Sequence, residues 1–145
     1  MSAELSNPRS QNSRMISATF ALLGTLIALY LLLHDLGLSS IICPIAGCDK
    51  VQASGYSKWF GIPVAAFGLA GFVTLLGLSV TGLFTVQVTG IPIRSAILSL
   101  SSLGLLAYIP LTYLELFVIH AICFWCVTSS LMMLGVFLSA LLVRD

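Results

Sequence analysis

Four long apolar stretches alternate with short polar connections along this chain. They lie at about residues 15–34, 62–84, 93–118 and 121–143, and each meets the roughly 20 apolar residues that a helix needs to cross hydrocarbon. The pattern predicts an all-α membrane protein, a four-transmembrane-helix bundle. Residues 1–14, with Ser, Asn, Pro and Gln, are expected to form a disordered cytoplasmic tail, and residues 15–145 a single transmembrane domain. The first stretch exceeds the apolar core of a signal peptide and no small-residue cleavage site follows it, so it is taken as an uncleaved helix. No internal repeat or low-complexity segment is apparent.

Composition agrees with the pattern. Of the 145 residues, 59% are hydrophobic and 8% charged, and the mean hydropathy is +1.10. A soluble domain carries about 25% charged residues, so this chain has too little polar surface for one. The net charge of +1 gives no basic face for nucleic acid.

Charge then orients the bundle. An even number of spans leaves both termini on one side, with Arg9, Arg14, Arg94 and Arg144, against Lys50 and Lys58 on the other. The positive-inside rule places the termini and the 85–92 connection in the cytoplasm, as in a bacterial-type inner membrane protein. The outer loop 35–61 and the turn near 119–121 then face the periplasm. A short, broken capping helix is expected in this loop, with Tyr56 and Trp59 as rings at the headgroup level.

All four cysteines fall at that oxidising face, where disulfides persist. Cys43 and Cys48 sit in "CPIAGC", whose Pro44 and Gly47 permit a tight turn. Cys123 and Cys126 form "CFWC" at the front of the last span, one helical turn apart, where the helix start favours a thiolate. Two cysteine pairs, one outside and one embedded, suit an electron relay ending on a lipid-soluble quinone that reaches Cys126 from the bilayer. The rivals are a non-catalytic membrane protein held by two structural disulfides, a zinc tetrathiolate, and plain buried thiols. No metal is the preferred expectation. The small residues Gly61, Ala65, Ala66, Gly68, Ala70 and Gly71 suit close helix packing or, alternatively, room for a flat ring. Ser99, Ser102, Thr128, Ser129 and Ser130 are expected to bond their own helix backbone, and Pro110 to kink its helix. Glu115 is an acid near the outer third of a span, within reach of headgroups, and a functional candidate.

Together, "CPIAGCDKVQASGYSKWFGIPVAAFG" and "AICFWC" resemble the vitamin K epoxide reductase family in its bacterial form. The likeness rests on the loop cysteine pair, Ser54 six residues after Cys48, the "GIP" entry to the second span and the C-x-x-C opening the fourth. It implies a bundle around a quinone (ubiquinone or menaquinone) under a capping loop. It further implies that Cys126 lies next to the quinone and pairs with Cys123 as the resting disulfide. Cys48 would attack Cys123, Cys43 would exchange with a thioredoxin-fold partner, and Ser54 would lie near the quinone. Many bacterial relatives carry a fused thioredoxin-like domain after the bundle. This sequence stops at Asp145, so a separate DsbA-like periplasmic partner is expected. Where the animal enzymes place an asparagine and a tyrosine near the vitamin, this sequence has Val64 and Ser130, which points to quinone rather than epoxide reduction. In DsbB, a similar four-helix enzyme, the C-x-x-C lies in the first outer loop, the reverse of the order here.

Overall fold

The computed structural model describes residues 8–40, 42–44, 47–55, 58–85 and 87–142. Tyr56, Arg144 and the first seven residues of the expected tail lie outside these. Four helices are long and apolar enough to cross a membrane. In chain order the elements are α1 (Pro8–Asp35), α2 (Cys48–Ala53), β1 (Lys58–Trp59), β2 (Ile62–Pro63), α3 (Val64–Thr81), β3 (Gln87–Val88), β4 (Ile91–Pro92), α4 (Ile93–Tyr113) and α5 (Phe124–Leu142). From Leu114 to Ile119 the chain continues α4 as a π-helical turn.

Helix α1 starts seven residues earlier than the apolar pattern predicts, so residues 8–14 are helical rather than tail. The cause is tertiary. Ser10, Ser13, Arg14 and Ser17 are buried, and the Arg14 guanidinium donates to the carbonyls of Gly82 and Thr85 beyond the end of α3. Ser17 and Ser79 hydroxyls meet at 3.1 Å. Arg14, which looks like tail in the sequence, is thus tied to carbonyls at and just beyond the end of α3, where a helix leaves such groups without partners. At 28 residues, α1 is about 42 Å long, enough to span the membrane and project beyond it.

The bundle core is formed by Ala21 and Ala28 of α1, Phe72 and Leu75 of α3, Ile93 and Ile97 of α4, and Met133, Val136 and Ala140 of α5. Helix α1 packs most extensively against α3 and α5. In lipid, association rests on close packing rather than on escape from water. Gly24 supplies that closeness: a Cβ there would stand 2.2 Å from the Phe72 ring. Most other large apolar side chains, such as Leu26, Val73, Leu103 and Leu138, face outward, as the lipid-contacting side requires.

One short unit occurs twice. Lys58–Pro63 and Gln87–Pro92 are each two-stranded antiparallel hairpins, pairing Lys58 with Pro63 and Gln87 with Pro92. Their tips, Phe60–Gly61 and Thr89–Gly90, have φ of 54° and 80°, and 56° and 82°. Positive φ at both central residues is the turn geometry that matches strand twist. In both, the turn glycine opens a Gly-Ile-Pro whose proline, with its fixed φ, is the residue from which a helix starts. Gly-Ile-Pro thus recurs at residues 61–63 and 90–92, a local repeat too short to show as periodicity along the chain.

The outer loop carries the short helix expected of it. Its helix, α2, covers only Cys48–Ala53, because Ser54 turns back to bond the Val51 carbonyl through both its amide (3.2 Å) and its hydroxyl (2.7 Å). Trp59 lies on the hairpin that follows, half exposed.

Candidate functional site

The loop and the last helix meet at the outer end of the bundle. Cys48, Val51 and Cys123 form one buried cluster, with Cys43, Trp125 and Cys126 packed against it. All four cysteines, 83 positions apart at the extremes, are therefore brought together. Cys48 and Cys123 have no exposed surface at all. Gly47 makes the approach possible: a Cβ there would lie 2.2 Å from the Ile122 carbonyl oxygen. A clamp of two rings fixes the loop at Ile42, just before Cys43. The Ile42 amide donates to the Tyr30 hydroxyl and its carbonyl accepts from Trp125 Nε1, both at 2.8 Å. The two rings meet edge to face with centroids 5.3 Å apart.

Cys43 and Cys48 are joined as a disulfide, whereas Cys123 and Cys126 are thiols. The resting Cys123–Cys126 disulfide that the resemblance implied is thus not the bond seen here; the inner pair is held by hydrogen bonding instead. Cys123 does not lie inside α5 but caps it, its carbonyl accepting from Val127 N–H at 3.0 Å. Its sulfur accepts the Cys126 N–H at 3.3 Å, as an N-cap side chain does. Donation from the Cys126 thiol holds the Cys123 thiol below the usual thiol range.

Below the cluster, between α3, α4 and α5, lies a mostly apolar cavity of about 340 Å³. Among the described residues, Cys126 is the cysteine that lines it, and Ser54 and Val51 close its outer end. Gly68 and Gly71 line it too, and a Cβ at either would meet nothing within 4 Å. These two glycines therefore open a space rather than bring helices together, unlike Gly24. Val64 and Ser130, the two positions that depart from the animal enzymes, are also in the wall.

Two polar residues behave differently from the sequence reading. Thr128 and Ser130 do bond their own helix, to Phe124 and Val127 carbonyls, but Ser129 pairs across the bundle with the Tyr108 hydroxyl at 2.6 Å. Both of that pair line the cavity. Glu115 does not reach headgroups; it is buried, with Oε2 accepting the Cys123 N–H at 3.4 Å. The remaining outer-face groups are peripheral. His34 bonds the Ser39 carbonyl and lies 3.8 Å from exposed Asp49, tying α1 to α2.

A four-span bundle that carries a disulfide and a dithiol against one another at its mouth is a membrane thiol–disulfide oxidoreductase. The family comparison agrees. The chain belongs to the vitamin K epoxide reductase family, whose model matches residues 15–141. Members of this family are in general quinone-linked and act with thioredoxin-like proteins.

Proposed function

We propose that this protein reoxidises a periplasmic thioredoxin-fold protein of the DsbA type and passes the electrons through its two cysteine pairs to a membrane quinone. The observation that carries this reading is the position of Cys126, which shares one cluster with Cys48 and Cys123 and at the same time lines the apolar cavity. A partner dithiol reduces Cys43–Cys48, Cys43 being the sulfur that exchanges. The Cys48 thiolate then attacks Cys123 in its disulfide with Cys126, and Cys126 leaves as a thiolate. Cys43 displaces Cys123 from Cys48, which restores the outer disulfide and leaves the inner pair as the dithiol. That pattern, outer pair oxidised and inner pair reduced, is the one in the structure.

The cavity suits the acceptor. Its volume falls in the range of about 300–1,000 Å³ for small-molecule sites, with apolar walls and a few hydroxyls at Ser54, Tyr108 and Ser129. A bound quinone, ubiquinone or menaquinone, supplies a two-electron, two-proton acceptor there. Ser54 closes the mouth over it, and Gly68 and Gly71 leave room for the ring. The orientation is part of the proposal. Arg14 and Arg94 sit at the end of the bundle that holds the β3–β4 hairpin, each donating to a carbonyl there, while Lys50 and Lys58 lie at the cysteine end. By the positive-inside rule the termini are cytoplasmic and the cysteines periplasmic.

The decisive experiment is Cys126→Ala. In this variant the Cys123 thiolate can still displace Cys43 from Cys48 of the outer disulfide but has no Cys126 with which to form the inner one, so a Cys48–Cys123 disulfide should accumulate and quinone reduction should stop. Non-reducing peptide mapping of the membrane protein reads the first, and loss of quinone absorbance with a dithiol donor the second. Near-normal turnover in this variant overturns the assignment.

A further inference from the structure

The relay above makes no use of Glu115, although an acid inside a spanning helix is costly unless it is partnered. It is 8% exposed and stands on the π-helical turn Leu114–Ile119, a departure from α-geometry often found at functional sites. Its backbone is fastened: the Glu115 carbonyl accepts the amides of both His120 and Ala121. Its carboxyl accepts the Cys123 N–H at 3.4 Å and lines the same cavity as the Cys126 thiol.

Few other titratable groups face this carboxyl. They are Cys123, which caps α5, Cys126 within α5, and, two turns back along α4, Tyr108, whose hydroxyl is bonded to Ser129. On the α2 side, Cys43 and Cys48 are joined and do not titrate. Among the described residues no Lys, Arg or His pairs with Glu115, so the site has a proton acceptor beside its thiols and no cation.

We propose that Glu115 is the base that takes the Cys126 thiol proton, an inference that rests on the relay proposed above. In this step the Cys126 S–H bond breaks and an O–H bond forms on Glu115; one proton moves and no electrons do. The negative charge passes from carboxylate to sulfur, so the site carries a single charge before and after. In a medium of low dielectric, moving a charge a few ångströms is far easier than creating a second beside it. The positive end of α5 faces both positions and holds the charge in either. The electron pair leaves afterwards, as Cys123 and Cys126 join in a disulfide. The quinone acceptor then takes up two electrons and two protons, one of them the proton held on Glu115.

The test uses the full chain in lipid vesicles, with Glu115→Gln and Glu115→Asp. Gln keeps the size and the acceptor for Cys123 N–H but takes no proton. The first readout is alkylation of reduced Cys126 by N-ethylmaleimide, which needs no quinone. With the proton shared inside the site, the wild-type rate should be nearly flat from about pH 7 to 9. In Glu115→Gln it should climb by about tenfold per unit, as for an ordinary thiol ionising to water. The second readout is dithiol-driven quinone reduction, which in Glu115→Gln should fall about 10²-fold at neutral pH, with partial recovery in Glu115→Asp. A wild-type alkylation rate that itself climbs tenfold per unit overturns the proposal, and needs no variant to fold. So does a Glu115→Gln protein with wild-type slope and turnover, or one that is slower with an unchanged slope. If the wild type reduces no quinone while the slopes differ as stated, the base assignment stands and the quinone relay falls.

Discussion

Gly47 precedes Cys48 and Ile122 precedes Cys123, so the contact between these two residues sets how closely the two cysteine pairs approach. A Cβ on residue 47 would lie 2.2 Å from the Ile122 carbonyl oxygen, against about 3.4 Å for ordinary contact, so Gly47→Ala must open the gap by about 1.2 Å. Backbone strain does not enter, because the Gly47 φ of −151° is open to any residue. Nor can the carbonyl yield easily, since it belongs to the segment that caps α5. The loop is the part that moves: it is held by the small cluster around Cys48, while the bundle core lies elsewhere. Overpacking of this kind costs about 1–3 kcal/mol locally. Misplacing reacting atoms by about 1 Å slows a reaction on the order of 10²-fold. The expected result is therefore a loss of about 10²-fold in quinone reduction driven by a thioredoxin-fold dithiol. Turnover driven by a small membrane-permeant dithiol, which reduces Cys123–Cys126 directly, should change by less than about threefold, with the thermal midpoint of the bundle nearly unmoved. Partner-driven turnover within about twofold of wild type would refute the reasoning.

Four further outcomes follow from the same geometry. Cys48→Ala leaves Cys43 without a resolving thiol, so a reducible adduct between Cys43 and a soluble thioredoxin-fold protein should persist on non-reducing gels, and should vanish in Cys43→Ala. Gly68→Leu places a side chain where a Cβ meets open space, so the protein should fold normally while its quinone KM rises; an unchanged KM sinks the cavity assignment. Gly24→Ala, by contrast, drives a methyl into the buried Phe72 ring and should destabilise the bundle by about 1–3 kcal/mol, measured by thermal unfolding in detergent. Trp125→Phe keeps the ring contact with Tyr30 but loses the N–H donated to Ile42, worth about 1 kcal/mol. Handover from the outer pair should slow roughly fivefold with no change in reduction by the small dithiol.

The spans were legible in the sequence because length and apolarity are local properties, and the hydrocarbon core sets both. Spacing alone gave the two cysteine pairs, since a C-x-x-C needs only one helical turn to bring its sulfurs together, while the choice of a relay over structural disulfides or a zinc site needed both pairs at one membrane face. Beyond that, local signals ran out. Most positions in the spans are apolar on every side, so nothing in the pattern distinguished lipid-facing Val73 from core Phe72, one residue away. The glycines were equally mute. Gly24 lets α1 reach Phe72, Gly47 lets the loop reach Ile122, and Gly68 opens a cavity, yet in sequence each is only a missing side chain. Glu115 was visible as an acid in a span, but its turn toward Cys123 depends on the π-helical segment and on where α5 begins. The meeting of Cys48 with Cys123, across 75 positions of chain, was decided by tertiary packing, because it is a contact between residues that no local preference links.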